Sequence, residues 1–251
     1  MLEPVPHAVV TGGGRGIGRA IAAALKASGV SVSIVGRDSR VLDETVAAGD
    51  ADRAALLDVT DEAAVRATFA DLAAERPFDI VVANAGAAET GPFLRSDAQR
   101  FRRMLDVNLI GTVNVFQAAL PGMLERRHGR LIAIASTAAH RGYAYVSAYV
   151  AAKHAVLGLV KSLALETAAT GVTVNAVSPG YADTEMVGRA VQTIKDKAGL
   201  DEAAALAQLV KDNPQRRLIA PAEVAQAVLY LCGENSGAIT GQSLLLNGGE
   251  F

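Results

Sequence analysis

The chain has 251 residues, 51% apolar and 20% charged, enough to close one well-buried domain and too few for two independent ones. Its net charge of −2, from 26 acids against 24 bases with no basic block, leaves no electrostatic footprint for nucleic acid. A single cysteine, Cys232, excludes an internal disulfide and points to a reducing, cytoplasmic setting, while the 4 histidines (7, 128, 140 and 154) show no ligand spacing for a metal.

The N-terminal MLEPVPHAVV lacks a cationic start followed by a long apolar run, which argues against a secretory signal. Lys153, Lys161 and similar residues interrupt the apolar stretches, which argues against a membrane span. HAVVT (7–11) reads as a first strand, followed by a helix over about 17–27 that Gly29 closes. SVSIV (31–35) precedes a helix around 39–47. RAALLDV (53–59) precedes a helix beginning near Asp61, whose carboxylate can accept from the exposed first-turn amides. FDIVVANAG (78–86), RLIAIAS (130–136), GVTVNAVSPG (171–180) and GQSLLLNGG (241–249) complete seven strands. Continuous apolar strands alternating with Ala-rich segments of helical period predict a parallel sheet covered on both faces, a three-layer α/β/α domain. The segment 184–218 is helical and polar where a short crossover would suffice. Its position beside the carboxyl ends of the strands predicts a substrate lid, with an ungated helical hairpin as the alternative.

TGGGRGIG (11–18) lies between the first strand and the first helix. Gly12 can take a turn conformation closed to other residues, and Gly16 and Gly18 let the helix N-terminus approach both a diphosphate and the sheet. The spacing differs from GxGxxG, and the Lys-Ser/Thr ending of a P-loop is missing. A dinucleotide site is therefore expected, and a phosphoryl-transfer enzyme is not. The second strand ends at Gly36, not at a carboxylate that would hold the adenosine ribose of NAD. Arg37 follows it and Arg15 lies in the glycine turn, and two guanidiniums can clamp a 2′-phosphate, which predicts NADP(H). Asp38, two residues late, keeps NAD(H) as the runner-up. Asp58 and Val59 end the third strand, where a carboxylate and a backbone amide can hold the adenine. Asn84, Ala85 and Gly86 end the fourth, where small residues let the cofactor pass close to the backbone.

The stretch STAAHRGYAYVSAYVAAK (136–153) carries the candidate chemistry. On a helix, Tyr149 and Lys153 are one turn apart and share a face. Ser136 ends the fifth strand and points into the crevice at the sheet's carboxyl edge. Hydride transfer to a ketone builds negative charge on oxygen and requires a proton donor; a tyrosine serves as that acid, and a neighbouring lysine favours its phenolate so that it works in both directions. Ser136 can hydrogen-bond the same oxygen. An isolated YxxxK would otherwise be read as a packed tyrosine and a snorkelling lysine.

TGGGRGIG, NAG at 84–86, Asn108 in DVNLIG, Ser136, Tyr149 with Lys153, and PG at 179–180 occur together and in order. From about residue 6 onward the sequence resembles the short-chain dehydrogenase/reductase family, including the thirteen-residue interval from Ser136 to Tyr149. The resemblance implies a Rossmann-like, doubly wound, parallel seven-stranded sheet in one domain spanning 1–251. It implies a cofactor loop of Gly12, Gly14, Arg15, Gly16, Ile17 and Gly18. Tyr149 is then the acid/base, Lys153 holds the nicotinamide ribose and lowers the tyrosine pKa, Ser136 polarises the carbonyl, and Asn108 holds a water linking the lysine to solvent. Pro179 and Gly180 border the cofactor, and Thr184 binds the nicotinamide carboxamide. A homotetramer built partly on the helices near 101–125 and 149–167 is also implied. Two positions depart from the family's usual pattern, Ala152 for serine and Asn247 for aspartate.

For the substrate, His140, Arg141, Tyr143 and Tyr145 are expected at the pocket mouth. His140 and Arg141 either receive an anionic or thioester-linked substrate or are ordinary surface residues. NPQRRLIAPAEVA (213–225) is similar to family members acting on 3-oxoacyl or 3-hydroxyacyl thioesters, while sugars, steroids and aryl ketones stay open. A dehydratase or epimerase of the same fold is an alternative; the epimerase would need a longer substrate domain than the 35-residue insertion readily supplies, and two-site proton chemistry that the sequence does not locate. A non-catalytic NADP-binding protein would have lost Ser136, Tyr149 or Lys153, and none is lost.

Overall fold

The computed structural model describes residues 5–251; Met1–Pro4, on which part of the reading against a secretory signal rests, lie outside the described residues. Seven parallel strands, β1 (His7–Thr11), β2 (Ser31–Gly36), β3 (Arg53–Leu56), β4 (Ile80–Ala83), β5 (Gly129–Ile134), β6 (Val172–Pro179) and β7 (Ser243–Leu246), form one sheet. Their order is β3-β2-β1-β4-β5-β6-β7, so the chain reverses direction across the sheet between β1 and β4, which opens a crevice at the strands' carboxyl ends.

Both faces of the sheet are apolar because successive side chains point to opposite sides. In β1, Ala8 and Val10 pack under α1 (Gly16–Ala27) and α9 (Pro221–Cys232) with Ile21, Leu25, Val224 and Val228. Val9 faces the other way, into a core with Phe69 of α3 (Glu62–Glu75), Phe116 of α5 (Gly111–Arg126) and Val160 of α6 (Ser147–Thr167). This is the three-layer, Rossmann-like arrangement expected. The helix α2 (Ser39–Ala47) begins at the residue anticipated, and Asp61 accepts from the Ala64 amide at 3.0 Å as a cap.

Strands β3, β4 and β7 are shorter than the sequence suggested, and the reason is the same in each. Asp58, Val59, Asn84, Gly86 and Asn247 lie past the last paired residue, where the backbone leaves the ladder to form the rim of the crevice. The segment 184–218 folds as α7 (Glu185–Ala198) and α8 (Glu202–Leu209) around a small core of Val187, Val191 and Ala205. A bridge between Ala182 and Ile219 closes its base, reinforced by Asp183 N donating to Ile219 O at 2.9 Å.

Ala98–Arg126, comprising α4 (Ala98–Leu105), a π-helical turn and α5, and Ser147–Thr167 are long and apolar enough to cross a membrane by length and composition. Both pack one side against the rest of the fold, and the two lysines of α6 do not break it.

At the crevice, the glycine turn is tight against the end of β4. A Cβ at Gly18 would overlap the Gly12 carbonyl oxygen and the Asn84 side-chain amide. Gly18→Ala is therefore expected to cost about 1–3 kcal/mol, as overpacking does, and to lower the urea midpoint. An unchanged midpoint would contradict this packing.

Candidate active site

Gly12 (φ +63°) and Gly16 (φ +53°) hold the left-handed conformations that end β1 and start α1. Arg15 is the N-cap of α1, yet its side chain makes no capping bond, and the first turn carries no acid. The first-turn amides, including that of Ile17, thus face the crevice without an internal acceptor, the condition that suits an anion. The turn is braced from both sides. Thr45 Oγ1 shares its proton between Val41 O at 2.8 Å and Gly14 O at 3.1 Å, and Asn84 Nδ2 donates to Thr11 O at 2.9 Å and Gly12 O at 3.3 Å. The Asn84 and Ala85 amides donate to Thr11 Oγ1 at 3.0 and 2.9 Å. Asn84 therefore shapes the turn with its side chain. Val59 is buried, and its carbonyl accepts from Asn114 Nδ2 at 2.9 Å.

The two arginines expected to read the 2′-phosphate are both engaged by carboxylates. Arg15 pairs with Asp38 at 2.9 Å and Glu185 at 3.1 Å, and Arg37 lies 3.7 Å from Asp58. Asp38 also caps α2 through the Val41 amide at 3.3 Å. The Thr60 amide, then its hydroxyl and Arg37, hold the Asp58 carboxyl below the usual carboxylate range. These side chains are between 42% and 71% exposed, so the pairs are weak and exchangeable.

Ser136 lies two residues past β5, at the head of a short 3-10 turn, with Ala138 N donating to its Oγ at 3.1 Å. Tyr149 sits in the first turn of α6, with its hydroxyl end buried beside Ser136 although the residue as a whole is partly exposed. Burial raises the Tyr149 pKa, and the neighbouring Ser136 side chain offsets part of that rise. Lys153 is 5% exposed, its Nζ lies 5.8 Å from the centre of the Tyr149 ring, and it donates to Ile134 O at 2.8 Å. Burial alone lowers its pKa to about 8. The sequence reading had the lysine lowering the tyrosine pKa. In this structure burial dominates both groups, and the lysine is turned to a backbone carbonyl.

Asn108 is held in the π-helical turn Asp106–Ile110, where its Nδ2 donates to Ala87 O and Met104 O, both at 2.9 Å. Its Oδ1 is buried without a hydrogen-bond partner among the described residues. Gly86 separates it from the lysine: a Cβ there would lie 2.7 Å from Asn108 Oδ1 and 3.7 Å from Lys153 Nζ. An unsatisfied buried acceptor costs free energy, so a third group must complete it. Thr184, the N-cap of α7, packs against Gly16, since a Cβ on that glycine would lie 3.2 Å from its Cγ2. Pro179 ends β6, and Gly180 N donates to Leu246 O at 2.9 Å. The unsatisfied helix N-terminus, the orphaned Asn108 oxygen and the gap at Gly86 fit an extended dinucleotide lying from Arg37 to Lys153.

The residues read as the pocket mouth divide. Tyr143 and Tyr145 line a cavity of about 260 Å³ under α7 and α8, together with Tyr181, Asp212, Asn213 and Glu250. His140 instead contacts Ser178 Oγ at 3.2 Å and Ser243 Oγ at 2.9 Å. Arg141 pairs with Glu250 at 3.2 Å, its guanidinium 5.0 Å from the Tyr143 ring centre and 5.5 Å from that of Phe251. Both basic residues already have partners within the chain, His140 through Nε2 and Arg141 through Nη1. Glu250, Tyr181 and Asp212 were missed; only the nearness of Glu250 to NGG (247–249) hinted at it.

The lysine makes the site's stability depend on pH. Its pKa is depressed on folding, so between about pH 8 and its ordinary value of 10.5 the unfolded chain binds the extra proton, and stability from this group rises with pH. In Lys153→Met, which lacks the titration, the urea-measured stability of wild type relative to the variant should improve on going from pH 7 to pH 10. No change in that difference would contradict the buried, depressed lysine.

Residues 12–250 match the family described as Enoyl-(Acyl carrier protein) reductase. The chain is 37% identical over 242 residues to 2-keto-3-deoxy-L-fuconate dehydrogenase of Xanthomonas campestris, covering 96% of this chain and 78% of that protein. It is 36% identical over 247 residues to acetoacetyl-CoA reductase of Shinella zoogloeoides, covering 97% and 98%. Its fold superimposes on the crystal structure of a variant actinorhodin polyketide ketoreductase with NADPH, with a TM-score of 0.92, 33% identity and coverage of 98% and 97%. With the ordered glycine turn, serine, tyrosine and lysine on a doubly wound sheet, and these matches across nearly its whole length, the chain belongs to the short-chain dehydrogenase/reductase family of oxidoreductases.

Proposed function

We propose that the protein is an NADP(H)-dependent oxidoreductase that interconverts a ketone and a secondary alcohol. The observation that carries this is the convergence of Ser136, Tyr149 and Lys153 on one point of the crevice, beside a helix N-terminus free to hold a diphosphate. The bound nicotinamide supplies the hydride in reduction and takes it in oxidation. Ser136 donates to the substrate oxygen and fixes its orientation. Tyr149, kept protonated by burial, delivers its proton to that oxygen as charge builds there. Lys153, as an ammonium, stabilises the phenolate left behind and holds the nicotinamide ribose, and Asn108 Oδ1 accepts from a water that returns the proton from solvent.

Arg15 and Arg37 select the 2′-phosphate. A dianionic phosphate accepts charge-assisted forks from both guanidiniums and displaces exposed carboxylates that hold them weakly. The relative solved with NADPH supports the same choice. NAD(H) is the second reading, favoured by Asp38 at 2.9 Å from Arg15. Thr184 binds the carboxamide and the hairpin 184–218 acts as the substrate lid, closing over the cavity it already roofs. 3-Oxoacyl thioesters are one substrate class, supported by the acetoacetyl-CoA reductase likeness, and hydroxylated acids are another, supported by the fuconate-derived one. The assembly we infer is a homotetramer in the cytoplasm. Exposed Ile110, Leu124 and Leu165 on the helices expected to pair support the first, and the lone Cys232, its thiol pushed up to about 12 by burial, is compatible with the second.

Tyr149→Phe should lower ketone reduction by about 100- to 10,000-fold while NADPH binding, followed by nicotinamide fluorescence, changes little. Turnover near wild type would refute the assignment of the acid. Wild type should turn over NADPH in preference to NADH, and Arg37→Ala should narrow that preference; a strong NADH preference would sink the cofactor assignment.

A further inference from the structure

We infer that Glu250 is a specificity-determining residue that accepts a hydrogen bond from a hydroxyl group on the substrate, so that the preferred ketones carry a hydroxyl on the side away from the cofactor. This inference rests on the oxidoreductase reading above.

The Glu250 side chain is 7% exposed and lines the cavity under the lid hairpin. A carboxylate that far from solvent needs partners, and this one has them on one oxygen only. Oε1 meets Arg141 Nη1 at 3.2 Å and the Tyr143 hydroxyl at 2.8 Å. That hydroxyl is also 2.9 Å from Thr137 Oγ1; having one proton, it donates to the carboxylate and accepts from the threonine. Oε2 makes no hydrogen bond among the described residues, which leaves a strong acceptor for whatever enters the cavity.

The charge balance chooses the donor. Arg141 already compensates the carboxylate, with its guanidinium 5.0 Å and 5.5 Å from the Tyr143 and Phe251 ring centres; of the other charged lining residues, Arg217 pairs with Glu223 at 2.6 Å and Lys211 is followed by Asp212, so the wall carries no net surplus of charge. A cationic substrate would gain little against a neutralised pair, whereas a neutral hydroxyl satisfies the open oxygen without adding charge. Tyr181, Gln208, Asp212 and Asn213 make much of the remaining wall polar, which favours a hydroxylated chain over a fatty one.

The position is also built. Asn247, which stands where the family usually has aspartate, donates through Nδ2 to Phe251 O at 3.2 Å and accepts from Gly249 N at 3.1 Å. Aspartate could not make the first bond. The amide therefore closes the turn that presents Glu250 to the cavity. Thr137, at the far end of the same hydrogen-bond chain, is the sequence neighbour of Ser136, and Tyr181 on the cavity wall packs edge-on to Tyr143 at 6.4 Å between ring centres. The acceptor is thus tied to the frame that positions the reacting carbonyl.

The test is NADPH oxidation with matched ketones: hydroxyacetone and dihydroxyacetone against acetone, and erythrulose against butanone. In wild type kcat/KM should favour the hydroxylated partner by about 10- to 100-fold, the range for a hydrogen bond to a charged group. That preference should fall close to the ratio set by intrinsic reactivity in Glu250→Leu, and to an intermediate value in Glu250→Gln, which keeps an uncharged acceptor. Glu250→Gln preserves the side-chain volume and decides the matter alone if the leucine variant does not fold. Preference ratios equal to wild type in the folded variants would overturn the assignment, as would faster turnover of acetone and butanone in wild type; either leaves the oxidoreductase reading standing. No NADPH oxidation with any ketone would overturn both.

Discussion

The site depends on an ammonium group buried without a carboxylate. Lys153 is almost wholly covered, donates to one backbone carbonyl, and has no ion-pair partner among the described residues. Burying an unpaired charge is costly, and the depression of its pKa to about 8 expresses that cost. The charge is retained because the sheet and α6 leave it no exit: β5 lies on one side, Gly86 and the π turn on another, and Tyr149 one helical turn above. The same enclosure keeps Tyr149 protonated. A proton donor and a nearby positive charge are therefore both prepared before the carbonyl arrives.

The other end of the crevice follows different rules. There the charged groups are partly exposed, paired loosely, and shared among the glycine turn, the edges of β2 and β3, and the first residue of α7. Arg15 touches both Asp38 and Glu185, so a ligand that recruits Arg15 also removes a tie between the glycine turn and α7. Recognition of a phosphate at this end is an exchange of weak ion pairs for stronger forks. The chemical end works by desolvation, with groups that hardly move.

Much of this was legible in the sequence because it rests on local pattern. Alternating apolar strands gave the layers, and the i, i+4 relation of Tyr149 and Lys153 chose one tyrosine of three. What was not legible depended on tertiary pairing. Arg141 and His140 read either as receptors for an anion or as ordinary surface residues; one instead pairs with Glu250, 109 residues away, and the other with Ser243, 103 residues away. Asn84 read as part of a permissive backbone, yet its amide braces Gly12 across 72 residues. Asn247 read only as a departure from the family's usual aspartate, and it bonds Phe251 O and Gly249 N across the turn that carries Glu250. The Tyr149 pKa read as lowered by Lys153, whereas burial raises it, an effect that depends on how completely the hydroxyl is enclosed.

The central claim is that proton delivery by Tyr149 is supported by a buried, positively charged Lys153, and the pH dependence of ketone reduction tests it most directly. Measured at saturating NADPH, kcat/KM should fall as pH rises through about 8, where Lys153 loses its charge while burial still keeps Tyr149 protonated. A profile that stays flat to the ordinary tyrosine value near pH 10 would contradict the account.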